Sequence, residues 1–235
     1  MTAGERVAAQ SGQDLEQVMQ VMKELHAYYN AKPVSFNMYY TYSNEHTPGK
    51  ILDSLQGKME LAGIPYHYMM GNTETIHNAK YTVILFKEDK LMYVTRSDSA
   101  ASPADPLLPV KGSLEKTGIA HCKITRTGSN KTVQISFREG APYRQMELTL
   151  DTISGHLLSM QYIVRTTMLM DAQDAKPEAG YDEYAVVRAV LSDYKPLPAD
   201  NSRFDEKNFF SREGNELIVT PAYKGYKIFV GSPNL

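Results

Sequence analysis

Tryptophan is absent from this sequence, cysteine occurs once, and no apolar stretch approaches the ~18 residues that a membrane-spanning helix needs. The single cysteine, Cys122, excludes an internal disulfide and a cysteine-built metal site, and reads as a small buried hydrophobe. Without a spanning run, nothing in the chain crosses a bilayer as a helix. Charge of one sign is missing too: 25 Lys and Arg stand against 27 Asp and Glu, interleaved along most of the chain, for a net charge of −2. Such a surface has no field to steer a polyanion and no basic stripe to track phosphates, so no nucleic-acid partner is expected.

Catalytic signatures are missing as well. There is no Gly-x-Ser-x-Gly elbow, glycine-rich phosphate loop or dinucleotide fingerprint, and Gly128-Ser129-Asn130-Lys131-Thr132 lacks the spacing of a phosphate cradle and reads as a hairpin turn. The histidines His26, His46, His67, His77, His121 and His156 include no pair at helical ligand spacing and no zinc-finger arrangement. His121 and Cys122 are strand neighbours, whose side chains point to opposite faces and cannot share a proton. Glu60 and Glu74 could lie on neighbouring strands, but carboxylates without a defined cleft read as solvated charges on a sheet face. No catalytic residue, metal or cofactor is therefore expected, and the chain reads as a non-enzyme.

What is abundant is tyrosine, at 16, and methionine, at 12, in a chain of 235 residues that is 42% apolar. Amphipathic rings and flexible thioethers can line a deformable apolar surface or fill a core. From Ser11 to Asn30, the residues Leu15, Val18, Met19, Met22, Leu25 and Tyr29 recur at steps of three and four, which predicts a helix docked through Leu15, Met19, Met22 and Leu25. Ser11 with Asp14 suits its N-terminal cap, and Pro33 stops it.

The period then changes to two. Val34, Phe36, Met38, Tyr40 and Tyr42 alternate with Ser35, Asn37, Tyr39, Thr41 and Ser43, so Phe36, Met38 and Tyr40 are expected to point inward and Asn37 and Thr41 outward. A second run passes through Leu55, Gly57, Met59 and Leu61. Gly71-Asn72 suits a two-residue hairpin turn, and pairing Met70 with Thr73 across it sets His67 opposite Ile76 and His77 opposite Tyr66, on different faces. Further strands are predicted at 81–86, 91–96, 118–126, 132–138, 143–151, 157–165, 184–191, 217–220 and 226–230. The proline-bearing stretch 97–112 and the gap 171–180 read as loops within one sheet. Val7-Ala8-Ala9 before Gln10 has the small-residue look of a signal-peptidase site, so residues 1–10 read as a trimmed export signal or an appended end and 11–235 as one domain.

The leading helix, the strand Ser35-Phe36-Asn37-Met38-Tyr39-Tyr40, and the meander from Leu55-Gln56-Gly57-Lys58-Met59 to Tyr93-Val94 together resemble the LolA-type periplasmic lipoprotein carrier superfamily, distantly and over nearly the whole chain. The later strands and the ending from Phe204-Asp205 to Tyr226 fit the same outline. The resemblance implies a mainly β (α+β) fold: an incomplete antiparallel β-barrel of roughly ten or more strands with a long N-terminal helix packed against its open side. Carriers of that family place an arginine on an early strand to gate the cavity, whereas Met59 to Met70 has none and offers Tyr66, His67 and Tyr68.

The expected function is therefore an extracytoplasmic, periplasmic binding or carrier protein for a lipid, lipoprotein acyl chains or another apolar small molecule, held by Met38, Tyr40, Met59, Tyr66, Tyr68 and Met70. The alternative is a non-catalytic structural or protein-interaction module of the cell envelope, whose cavity is filled by its own helix.

Overall fold

A computed structural model describes residues 16–25, 27–29, 32–97, 119–170, 180–214 and 216–232. The candidate cleavage run, the Ser11 cap, Leu15, His26 and most of the two expected loops lie outside the described residues. One α-helix, α1, covers residues 16–25 and 27–29. The strands follow in chain order: β1 (Val34–Asn44), β2 (Ile51–Leu61), β3 (Tyr66–Met70), β4 (Thr73–His77), β5 (Tyr81–Phe86), β6 (Leu91–Arg96) and β7 (Ile119–Thr127). Then come β8 (Asn130–Phe137), β9 (Tyr143–Asp151), β10 (Leu157–Arg165), β11 (Tyr184–Pro196), β12 (Phe210–Glu213), β13 (Glu216–Val219) and β14 (Lys227–Val230).

Twelve strands hydrogen-bond in the order β14-β6-β5-β4-β3-β2-β1-β11-β10-β9-β8-β7, while β12 and β13 pair separately. The order has two ends, so the sheet is open, in keeping with the incomplete barrel expected from the sequence. Pairing is antiparallel from β2 to β6 and from β7 to β11, and β14 joins β6 in parallel. Contacts group the described residues into two compact units, one within 1–28, 39–55 and 105–192, the other within 29–38, 56–104 and 193–235.

In the first unit, α1 meets β8 through Glu24 and Lys131, and the β9–β10 connection through Tyr28, which packs on Gly155 and His156. Cross-strand pairing sets Val133, Leu148, Met160 and Ala189 in one buried row, and Cys122, Ile135, Met146 and Tyr162 in the next. The opposite face carries the polar row Gln134, Glu147, Gln161 and Arg188. The helix buries Val18, Val21 and Leu25, and Glu24 meets Lys131 Nζ at 3.1 Å on the sheet face that carries Val133 and Ile135. Met19 was expected in the docking face but is 48% exposed. At about 100° per residue, Val18, Val21 and Leu25 share one stripe and Met19 falls beside it. Gly155, at φ +76°, admits the Tyr28 ring where an added Cβ would lie 2.6 Å from Cδ2.

In the second unit, the β3–β4 register is the one read from Gly71-Asn72: Met70 opposite Thr73, His67 opposite Ile76, Tyr66 opposite His77. One sheet face carries Ile76, Val83, Leu85, Met92 and Val94, buried with Phe204, Phe209 and Phe210 from the segment after β11. That segment winds through two short 3-10 turns into the β12–β13 hairpin. The sequence reading included β13 but not β12. At the start of β1, Phe36 stacks on Tyr194 at 4.9 Å, and Phe36 and Met38 are each 5% exposed while Asn37 points out and donates to Asp193 Oδ2 at 2.9 Å. The alternation expected there holds through Met38; Tyr40 and Thr41 are both half-buried.

Candidate functional site

The first unit contains a cavity of about 590 Å³, within the range of small-molecule sites. Tyr40, Thr41 and Tyr42 of β1 form one wall, and the start of β2 supplies Leu52, Asp53, Ser54 and Leu55. Thr166, Leu169 and Met170, just past β10, close the other side with Tyr181 and Val187. Leu55, Leu169 and Tyr181 are 45%, 48% and 44% exposed, an unusual concentration of large apolar side chains in reach of water. Leu55 stands on β2, whereas Leu169 and Tyr181 belong to the connection between β10 and β11, outside the sheet.

The polar groups around the cavity are largely tied down. Thr166, 2% exposed, donates its hydroxyl to the Asp182 carbonyl at 2.6 Å. Burial pushes the Tyr42 hydroxyl up, against a hydrogen bond with the Thr166 side chain, and the nearby Asp182 charge adds to the rise. Asp182 itself accepts the His46 backbone N–H at 2.9 Å and lies 2.8 Å from His46 Nδ1, which together hold its carboxyl below the usual range. The Tyr42 and Tyr181 rings lie 6.0 Å apart, tilted by 59°. This arrangement can enclose an apolar chain: each methylene taken from water contributes about 0.8 kcal/mol.

Of the six residues picked from the sequence, Tyr40 lines this cavity. Met59, Tyr66, Tyr68 and Met70 share one face of the second unit, Met59 opposite Tyr68. On that face Met59 and Tyr66 are buried and Tyr68 and Met70 half-buried, and Met38 of β1 is buried in the same unit. That face runs on from Met59 and Tyr68 through Thr75 and Ile84 to Tyr93 and Phe229, the last two 37% and 53% exposed. Met70 lies over Gly57, where an added Cβ would come within 2.6 Å of the Met69 carbonyl oxygen and 3.1 Å of Met70 Cε. The sequence reading missed Leu52, Leu55, Leu169, Met170 and Tyr181. A signal was available: Met168-Leu169-Met170 is an apolar triplet following a strand with no partner run in sequence.

Two charged clusters lie elsewhere. In the second unit, His67 sits between two carboxylates, Nε2 at 2.7 Å from Glu74 Oε1 and Nδ1 at 3.6 Å from Glu60 Oε2. Lys58 pairs with Glu60 at 2.6 Å and Lys87 with Glu74 at 2.8 Å. Both carboxylates are only 13% exposed, so they are ion-paired rather than solvated as their sequence context suggested. Their charges are matched by two lysines and leave no carboxyl poised to exchange protons near neutrality. In the first unit, a smaller cleft of about 300 Å³ gathers Arg138, Arg144 and Arg165 with Glu139 and Glu183. There Arg144 donates to both Glu45 oxygens at 2.7 Å and covers the Tyr184 ring at 3.7 Å.

No protein-family model matches the sequence, and no curated protein matches it. Solved structures do resemble it. An uncharacterized conserved protein of Thermus thermophilus overlays with a TM-score of 0.51 at 7% identity, covering 91% of this chain and 99% of that one, which shows a shared fold. A LolA superfamily protein of Nitrosomonas europaea gives 0.37 at 10% identity, over 80% and 97% of the two chains. MucB in the Pseudomonas aeruginosa MucA/MucB complex gives 0.42 at 13%, over 86% of this chain and 62% of that one. Among the described residues, no helix is long and apolar enough to cross a membrane.

Proposed function

We propose that this chain is a non-catalytic binding or carrier protein of the bacterial cell envelope, on its extracytoplasmic side. It holds the apolar part of a lipid or lipoprotein in the cavity of the first unit. The observation that carries this reading is the 590 Å³ cavity itself, walled by Tyr40, Tyr42, Leu52, Leu55, Leu169 and Met170 with several of these open to water. A monomeric protein seldom leaves such side chains clustered without a partner for them. The flexible Met170 and the broad tyrosine rings suit a ligand whose chain has no single conformation. Tyr68 and Met70, half-buried on their own sheet face, are proposed as a further apolar contact surface within the second unit.

The test is mass spectrometry of an organic extract of the purified chain, followed by uptake of an apolar dye by the delipidated protein. A co-purifying amphiphile and saturable dye uptake are expected. A repeatedly empty extract together with no uptake would overturn the reading in favour of an interaction module that displays a strand edge.

A further inference from the structure

The charge of the cavity lining narrows the ligand. Among the described residues that line it, Asp53 is the one acidic or basic side chain, and no lysine or arginine joins it. Three arginines of the same unit, Arg138, Arg144 and Arg165, line a separate cleft instead. A carboxylate or phosphate head entering the cavity would therefore lose hydration beside Asp53 with no cation among the described lining residues to replace it, which is costly for any partly buried ion. Tyr42 and Tyr181 contribute two ring faces inclined at 59°, and a third ring, Tyr40, shares the lining. Ring faces carry negative potential and attract ammonium groups, most strongly where water is partly excluded.

We propose, resting on the reading that this cavity holds a ligand, that the ligand is an amphiphile with a cationic head. Its chain lies against Leu52, Leu55 and Leu169, and its ammonium or trimethylammonium group meets the Tyr42 and Tyr181 rings and the Asp53 carboxylate. The apolar walls set affinity, and the single carboxylate with its tyrosines sets which head is accepted. Asp53 is exposed and lies in the first half of β2, so it can be changed without opening the core.

The test compares three probes of equal chain length below their micelle concentrations at low salt: dodecyltrimethylammonium, dodecyl maltoside and dodecanoate, titrated calorimetrically. The ammonium probe should bind about tenfold more tightly than dodecanoate, a preference that falls on adding salt. Asp53→Asn should remove most of that preference, and Tyr181→Leu should weaken the ammonium probe more than the maltoside. Equal binding of all three probes, or a preference indifferent to Asp53→Asn, overturns the cationic head and leaves the apolar cavity standing. Failure of all three to bind overturns the cavity reading itself.

Discussion

His67 Nε2 and Glu74 Oε1 lie 2.7 Å apart across the β3–β4 pair, and that bond is the main reason the Glu74 carboxyl sits at about 2. Burial pushes it up, and Lys87 helps to hold it down. Its folded pKa is below the unfolded value of 4.5, so the stability it contributes is present above pH 4.5 and lost as pH falls toward 2. Urea denaturation across that window should lose on the order of 2 kcal/mol from this site. In Glu74→Gln the protein should be less stable at neutral pH and flatter below pH 4.5. An acid limb of unchanged slope would show that the pairing does not contribute.

Phe36 fills the space between Tyr194, 4.9 Å away, and Tyr29, 5.9 Å away, whose hydroxyls meet at 3.0 Å. Phe36→Ala should cost about 3 kcal/mol in chemical denaturation, because neither tyrosine can leave its partner to collapse into the void. A cost under about 1 kcal/mol would mean the rings relax freely.

The two sides of α1 offer a matched pair. Val21, 1% exposed, faces the sheet and Met19, 48% exposed, does not. Val21→Asp would bury an unpaired charge and should destabilise by about 3 kcal/mol or more, while Met19→Asp should stay within about 0.5 kcal/mol. Similar losses at both positions would contradict the docking face described here.

Gly57 is needed for a different reason from the turn glycines. Its backbone passes under Met70 and against the Met69 carbonyl oxygen, so Gly57→Ala should destabilise by roughly 1–3 kcal/mol. Adding Met70→Ala relieves only the 3.1 Å side-chain contact and not the 2.6 Å backbone one, so the double variant should recover only part of the loss. Full recovery in thermal melts would place the strain in the methionine alone.

These particulars show what could be read from sequence. The β3–β4 register was legible because Gly71, at φ +53°, and Asn72 form the turn that sets it. The inward set of β1 was legible as far as Met38 because one face is core there. Met19 was misplaced because residues at steps of three and four define two adjacent stripes on a short helix, and only the docked sheet chooses between them. The cavity was out of reach: residues of β1 and β2 meet Thr166, Leu169, Met170, Tyr181 and Val187 through β1 beside β11, a pairing of strands far apart in sequence that no local pattern encodes. The aromatic run Phe209-Phe210 gave no period long enough to reveal β12, although Phe204, Phe209 and Phe210 pack with Ile76, Val83, Leu85, Met92 and Val94 in the core of the second unit.

The most direct measurement is titration of delipidated protein with the uncharged dye N-phenyl-1-naphthylamine, comparing the native chain with Leu55→Lys and Tyr68→Lys. Leu55 is 45% exposed and lines the cavity, so a lysine there should leave the melting temperature within a degree or two while bringing a charge into the apolar lining. The expected result is saturable binding of one dye per chain, weakened about tenfold by Leu55→Lys and less by Tyr68→Lys. Absence of saturable binding, or binding that ignores Leu55→Lys, would contradict the assignment of this cavity as the ligand site.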